Sequence, residues 1–233
     1  MLKLKYENNF IHKLLGIIYH NNLIEKIVHT LPYNLNKGLK DCSSVLDLGC
    51  GPSSPIQYCK NIKHSVGVEI YKSSSQKSME AQIHSIYINR NIQDLSLDDF
   101  EENSFDAVIL IEVIEHLSKE DALVIMEKAC KWAKKRVIVT TPNGFFGGFD
   151  DKYLTNFESD NNINNVHVSG FQCSELKNLG FDIYGGTGLK IFYNQLRFKP
   201  FILWKIIASF SQVFAYYMPN YAFEFFAIPN LNK

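Results

Sequence analysis

The sequence of 233 residues lacks an excess of either charge, because its 24 lysines and arginines balance its 24 aspartates and glutamates. A protein that binds nucleic acid usually carries a basic excess, so this balance argues against that class. The sequence also lacks C-x-x-C pairs, and its five cysteines, an odd number, cannot all pair with one another. This pattern favours free thiols in a reducing cytoplasm over a disulfide-stabilised secreted protein.

Uninterrupted apolar runs of membrane-spanning length are also missing. Charged and polar residues interrupt residues 1–20, which predicts an amphipathic helix instead of a signal peptide. Residues 201–218 contain a single charge, Lys205, and approach the ~20 residues that a membrane span needs, but serine and glutamine interrupt them. Four interpretations stay open for this stretch: packing in the core against the sheet or the N-terminal helix, a lid over an apolar substrate, contact with a membrane surface, or a homodimer contact.

Short apolar segments alternate with helical patterns through most of the chain. Segment 105–111, FDAVILI, has the near-continuous apolar character of a parallel strand that is covered on both faces. Ser54-Pro55 and Ser118 are typical helix starts, and Gly180 is typical of a helix end. The alternation predicts an α/β fold with a doubly wound, mostly parallel sheet. The predicted strands are 45–48, 65–70, 84–89, 105–111, 134–144, 181–186 and 221–229.

Polar residues and glycines follow the first three predicted strands, at the edge where such sheets bind ligands. The turn Asp47-Leu48-Gly49-Cys50-Gly51 comes directly after the first strand, where glycine lets the backbone approach a ligand closely. Glu69 closes the second strand and can accept hydrogen bonds from both hydroxyls of a ribose. Asp94 follows the third strand and can accept an adenine amino hydrogen. Together these residues predict an adenosine-binding pocket.

A nicotinamide-dependent dehydrogenase would use the same architecture and the same ribose-binding acid. Its G-x-G-x-x-G fingerprint would require glycine at position 54, where this sequence has Ser54 followed by Pro55. The missing glycine removes the usual close contact between helix and strand and the usual approach for a pyrophosphate. The pattern therefore disfavours a dehydrogenase.

Five motifs resemble those of the class I S-adenosylmethionine-dependent methyltransferases: VLDLGCG, VGVE, the aspartate of NIQDLSL, FDAVILIEVIEHL and VIVTTPNG. The resemblance covers residues 41–185 and implies a seven-stranded Rossmann-like sheet whose last strand is antiparallel. It also implies S-adenosylmethionine as cofactor. One departure is Ser53, which stands where the family usually has a third glycine. The residues that the resemblance assigns to the cofactor are Asp47, Gly49, Cys50, Gly51, Glu69, Ile70, Asp94, Leu95 and Glu112.

Acidic and imidazole side chains follow the fourth and fifth strands. Glu112, Glu115 and His116 lie just beyond the fourth strand, and His167 lies beyond the fifth. His116 and His167 are the predicted catalytic residues, as general bases. The pattern E-x-x-E-H with a later histidine also resembles metal-dependent O-methyltransferases, in which these four residues would bind a divalent ion. E-V-I-E-H occurs as well in methyltransferases without metal, and we assign no metal ligand from the sequence.

The predicted organisation is an N-terminal helical cap (residues 1–40) and a methyltransferase domain (residues 41–233). Within the domain, residues 190–220 form an apolar insertion near the substrate side. Residues 92–127 contain eleven acids and one lysine, a charge of −10, and no basic stripe leads to the site. We therefore expect a small-molecule acceptor, apolar or lipid-like, rather than a nucleic acid. The alternatives are a metal-assisted O-methyltransferase and a non-catalytic binding module with the same fold.

Overall fold

The computed structural model describes residues 22–145, 166–194, 201–229 and 231. It contains a single seven-stranded sheet with the strand order β3-β2-β1-β4-β5-β7-β6. Strands β1 to β5 run parallel to one another, and the last strand, β7, pairs antiparallel with both β5 and β6. The strands are β1 (Ser44–Leu48), β2 (His64–Glu69), β3 (Ile86–Asn89), β4 (Phe105–Ile111), β5 (Ala133–Pro142), β6 (Phe181–Leu189) and β7 (Ala222–Pro229).

Helices and 3-10 turns connect the strands. The α-helices are α1 (Asn22–Val28), α2 (Leu31–Gly38), α3 (Lys72–Glu80), α4 (Lys119–Trp132), α5 (Cys173–Asn178), α6 (Lys190–Asn194) and α7 (Phe201–Ala215). The 3-10 turns are Pro55–Tyr58, Ile92–Asp94, Leu97–Asp99, Ile114–His116 and Pro219–Tyr221. The predicted amphipathic helix at residues 1–20 lies outside the described residues.

Strand β4 lies at the centre of the core, and its side chains alternate between two faces. Val108 and Leu110 belong to the larger apolar cluster on one face, and Ala107 and Ile109 belong to the cluster on the other. All four side chains are fully buried. This confirms the prediction of a parallel strand covered on both faces.

The helical segment after β1 is shorter than the helix that the sequence predicts. Ser54 caps it as predicted, since its hydroxyl accepts a hydrogen bond from the N–H of Ile56 at 3.3 Å. The helix, however, is a single 3-10 turn, because the chain becomes extended again at Cys59 (φ −91°, ψ 113°). In contrast, Ser118 caps the long helix α4 through the N–H of Asp121, in agreement with the sequence.

Helix α7 lies against the edge strand β6 through its small and polar side chains. The Gln212 side chain accepts a hydrogen bond from Gly188 N–H at 2.5 Å and donates one to the Gly185 carbonyl at 3.0 Å. The large apolar side chains point the other way: Phe210 is 68% exposed and Phe214 is 64% exposed. No helix in the described ranges combines the length and the hydropathy that crossing a bilayer requires.

Candidate functional site

The turn after β1 has the backbone conformation that glycine favours. Gly49 has φ +75° and Gly51 has φ +58°, both in the left-handed region. A Cβ on Gly49 would also lie 2.7 Å from Cγ2 of Val113. The N–H groups of Gly49 and Cys50 both donate to the carbonyl of Val68 on β2, at 2.8 and 3.1 Å. The turn is therefore fixed to the neighbouring strand.

The Glu69 carboxylate points toward this turn. It accepts hydrogen bonds from the N–H of Gly51 at 2.8 Å and from the N–H of Tyr71 at 2.9 Å. Glu69 is buried, whereas the next residue, Ile70, is 39% exposed. The two strand ends thus bring an acid and a glycine turn together at one corner of the sheet, as the sequence predicted.

A buried polar group supports the turn from below. The Asp47 carboxylate, which is 1% exposed, accepts a short hydrogen bond from the Ser54 hydroxyl. The imidazole Nε2 of His84 lies 3.4 Å from the same carboxylate oxygen. His84 gave no functional signal in the sequence, and the structure places its side chain in the interior, fully shielded from solvent.

The remaining cofactor candidates on this side occupy two environments. Asp94 lies in the exposed 3-10 turn after β3, and its carbonyl accepts a hydrogen bond from Arg90. Leu95, which follows it, belongs to the core cluster. Burial raises the pKa of the Cys50 thiol, and the nearby carboxylates of Asp47 and Glu69 raise it further. Cys50 is thus a packing residue in the turn and not a reactive thiol.

Glu112 follows β4 in a strained conformation, with φ +54°. Its N–H donates to the Thr140 hydroxyl at 3.1 Å, and that hydroxyl donates back to the Glu112 Oε1 oxygen at 2.9 Å. Glu112 is exposed as a residue, but the surrounding protein atoms displace much of the water around its carboxyl group. This desolvation, with the nearby Glu115, raises the pKa of Glu112 to about 8.

Glu115, in the 3-10 turn after β4, is buried and only 1% exposed. Its Oε2 oxygen accepts a hydrogen bond from the Thr141 hydroxyl at 3.1 Å. Its Oε1 oxygen is buried and has no hydrogen-bond partner among the described residues. Burial raises the pKa of Glu115 to about 7.

A third glutamate, Glu224 on β7, completes this group and was missed in the sequence. Glu224 pairs in register with Pro142 of β5, so it lies at the same edge of the sheet. Its carboxyl group lies near that of Glu112 and accepts a short hydrogen bond from the Thr187 hydroxyl. Burial and the nearby Glu112 hold its pKa well above the usual value. The available signal was a single acid within the otherwise apolar strand AFEFFAIP.

The two candidate histidines are in contact with each other. The rings of His116 and His167 meet edge to face with their centroids 5.0 Å apart, and Nδ1 of His116 lies 3.3 Å from the Val166 carbonyl. Burial, followed by the effect of His167, lowers the pKa of His116. One ligand atom each of Glu115, His116 and His167 lie within 4.8 Å of one another. The structure therefore groups three of the four residues of the predicted metal pattern, while Glu112 accepts a hydrogen bond from Thr140.

Solved structures of other proteins share this fold. The methyltransferase domain of bacterial CtHen1-CN is 15% identical, with a TM-score of 0.51 over 89% of this chain and 98% of that one. A SAM-dependent methyltransferase from Archaeoglobus fulgidus is also 15% identical, with a TM-score of 0.51 over 88% of this chain and 97% of that one. The fold is that of the class I SAM-dependent methyltransferases, which confirms the predicted fold class and resemblance.

Residues 33–156, more than half of the chain, match the family described as methionine biosynthesis protein MetW, and the chain belongs to that family. A search of curated proteins finds no match. The matched residues include the glycine turn, Glu69, Glu112 and Glu115. His167 and Glu224 lie beyond them.

Proposed function

We propose that the protein is an S-adenosylmethionine-dependent methyltransferase that acts on a small, apolar or lipid-like acceptor. The observation that carries this proposal is the contact between Glu69 and Gly51, in which the carboxylate accepts the N–H of the glycine turn at 2.8 Å. It places a ribose-binding acid next to a turn that lets a ligand approach the backbone.

The residues present fit the proposed cofactor. A Cβ built on Gly51 would meet no atom within 4 Å, so there is open space beside the turn. In this proposal Gly49 and Gly51 pass beneath the methionine part, Glu69 holds the ribose hydroxyls and Asp94 accepts from the adenine amino group. Asp47 holds the turn, and Cys50, Ile70, Leu95 and Glu112 complete the pocket.

When bound, this cofactor supplies a methyl group on a positively charged sulfur. The protein must align the acceptor, exclude water and accept a proton from the acceptor where it carries one. The lowered pKa of His116 keeps its imidazole neutral at pH 7, so His116 can take such a proton. His167, in ring contact with it, is the second candidate for this role.

Exposed apolar side chains after β5, before β7 and beside His167 support an apolar acceptor. Phe145 follows β5 and is 60% exposed, and Tyr221 precedes β7 and is 63% exposed. Val166 and Val168, which flank His167, are 52% and 56% exposed. These side chains offer apolar surface to a substrate.

Incubation with labelled S-adenosylmethionine and a metabolite extract tests the proposed activity. The expected result is a labelled product that a variant with Glu69→Ala does not form. Binding of S-adenosylhomocysteine, measured by calorimetry, separates the alternatives. A protein that binds it but labels no acceptor is a binding module, and a folded protein that does not bind it contradicts the proposal.

The second candidate is a divalent-metal-assisted O-methyltransferase. It is favoured by the grouping of Glu115, His116 and His167 and by the buried Glu115 oxygen without a partner. These side chains, with Glu112, would hold an ion such as Mg²⁺, Mn²⁺ or Zn²⁺, which would lower the pKa of an acceptor hydroxyl. Activity that survives both chelators and His167→Ala would remove this candidate.

Contact of residues 201–218 with a membrane surface is a further proposal. It is supported by exposed apolar side chains, Leu203, Phe210 and Phe214 on α7 and Tyr217 just after it. Co-sedimentation with anionic lipid vesicles should fall in Phe210→Ser/Phe214→Ser. If these substitutions instead convert a dimer into a monomer, this surface is a homodimer contact.

A further inference from the structure

The imidazole of His84 reaches across β2 to the Asp47 carboxylate of β1. Asp47 pairs in register with Gly67 of β2, and a Cβ built on Gly67 would lie 2.7 Å from Cδ2 of His84. The same Cβ would lie 2.9 Å from Sγ of Cys50. Because residue 67 has no side chain, the imidazole and the Cys50 thiol have room to pack over the strand.

Tyr87 on β3 fixes the position of His84. Its hydroxyl accepts a hydrogen bond from the backbone N–H of His84 at 2.9 Å and donates one to the Ser78 carbonyl of α3 at 2.6 Å. The rings of His84 and Tyr87 meet edge to face with their centroids 5.4 Å apart. Since both the backbone and the ring of His84 are held, its side chain has a defined direction toward Asp47.

The neighbour of the His84 ring determines where a ring proton must lie. Nε2 is 3.4 Å from Oδ2 of Asp47, and the His84 side chain is fully shielded from solvent. A bare nitrogen and a carboxylate oxygen are both acceptors and would repel each other at this distance. Nε2 therefore carries a hydrogen that the carboxylate attracts, although the angle is not that of a hydrogen bond.

The Asp47 side chain joins the two ends of the glycine turn. Asp47 stands before Gly49 and Gly51, and Ser54 stands after them. The Ser54 hydroxyl donates a short hydrogen bond to Oδ2 of Asp47, the same oxygen that faces the His84 ring. The direction of the carboxylate thus depends on His84, and the closure of the turn depends on that direction.

We propose that His84 is a positioning residue for the cofactor, which through Asp47 keeps the glycine turn in its ligand-binding conformation. This inference rests on the proposed function. His84 supports the turn by a second route as well, because it packs over Gly67, and the next residue, Val68, holds the turn through its carbonyl. His84 is too deeply buried to touch a ligand, so it acts only through these neighbours.

Substitutions at residue 84 separate positioning from packing. His84→Leu fills the space but removes the donor, whereas His84→Gln keeps an N–H donor near the position of Nε2. Calorimetry with S-adenosylhomocysteine should show an affinity about tenfold lower in His84→Leu, and within about threefold of the parent in His84→Gln. His64→Leu is the matched control, since His64 is exposed at the start of β2, and it should keep the affinity of the parent.

The Asp47→Asn background tests the route of the effect. In this background His84→Leu should lower the affinity for S-adenosylhomocysteine by no more than about twofold further, because the carboxylate on which His84 acts is absent. Equal losses from His84→Leu in both backgrounds would show that His84 does not act through Asp47.

Nitrogen-15 NMR of the histidine rings tests the contact in the parent protein, without a variant that must fold. We expect the Nε2 signal of His84 to show an attached proton. A bare Nε2 would overturn the proposal, because it could not attract the Asp47 carboxylate.

The outcomes separate this inference from the proposed function. If the parent binds S-adenosylhomocysteine and His84→Leu binds it equally, the inference is wrong and the proposed function stands. If His84→Leu and His84→Gln lose affinity alike, the imidazole only fills space, and the inference is wrong again. If the parent itself does not bind, the proposed function fails and this inference fails with it. Melting temperatures show that each variant is folded under the conditions of the calorimetry.

Discussion

Under the proposed function, the site has a cofactor half at the ends of β1 and β2 and an acceptor half at the ends of β4, β5 and β7. The cofactor half presents mainly backbone groups, whereas the acceptor half presents side chains. Gly51 meets Glu69 through a backbone N–H, and the turn is held by the Val68 carbonyl. Glu112, by contrast, lies near Glu224, and threonine hydroxyls support both carboxyl groups. The cofactor half is therefore specified by a short stretch of chain, while the acceptor half depends on residues far apart in sequence.

The largest effect is expected when Glu69, the acid of the cofactor half, is replaced. With Glu69→Ala, we expect affinity for S-adenosylhomocysteine to fall about a hundredfold or more, because charge-assisted hydrogen bonds to two hydroxyls are lost. Calorimetry gives the dissociation constants. Glu80→Ala is the matched control on an exposed helix residue, and an affinity unchanged in Glu69→Ala would show that this acid does not hold the ligand.

A pair of glycine substitutions sharpens the claim that the turn is shaped for a ligand. Gly49 and Gly180 both have positive φ, +75° and +86°, but a Cβ would clash only at Gly49, with Val113. Both alanine substitutions should lower the free energy of unfolding by about 1–2 kcal/mol, because alanine is strained in the left-handed conformation. Because of the clash with Val113, Gly49→Ala should lower the free energy of unfolding further. It should also weaken S-adenosylhomocysteine binding by about tenfold.

Thermal unfolding and calorimetry of the two variants check this prediction. Binding in Gly180→Ala should equal that of the parent, because this residue follows α5, away from the turn. Equal binding in both variants would mean that the conformation of Gly49 is not part of the ligand site.

The sequence predicted that the glycine turn and Glu69 lie together, because their signals are local. Asp47, Gly49 and Gly51 stand together after one strand, and Glu69 ends the strand that pairs with it. The acceptor half was predicted only in part, since Glu112, Glu115 and His116 are adjacent in sequence but Glu224 joins them through an antiparallel pairing that no local pattern fixes. For the same reason the burial of His84 against Asp47 could not be predicted, as it depends on how α3 leads into β3.

The pH dependence of stability tests the acceptor half. Glu112, with a pKa of about 8, and Glu115, with a pKa of about 7, hold protons more tightly when folded than in the unfolded chain. Their stabilising protons are fully bound near pH 4 and are lost as the pH rises through 7 to 8. The melting temperature of the free protein should therefore fall by a few degrees between pH 5 and about 8.

Glu224→Gln should make this pH dependence smaller, because it removes one like charge beside Glu112. Scanning calorimetry across this pH range is the measurement, and Glu80→Gln is the control. A melting temperature that rises with pH in the parent would contradict the raised pKa values of Glu112 and Glu115.

The smallest effect is expected at Ser53, which replaces the third glycine of the family pattern. Ser53 is exposed in the turn that follows Gly51. Ser53→Gly should change the S-adenosylhomocysteine dissociation constant by no more than about twofold, as for other surface substitutions. A much tighter complex would show that this serine limits the approach of the ligand.

A crystal structure of the protein with S-adenosylhomocysteine tests the central claim most directly. The account predicts the ribose hydroxyls within hydrogen-bond distance of the Glu69 carboxylate, with the amino-acid part beside Gly49 and Gly51. A complex in which the ligand lies elsewhere, while Glu69 keeps only its contacts with Gly51 and Tyr71, would contradict it.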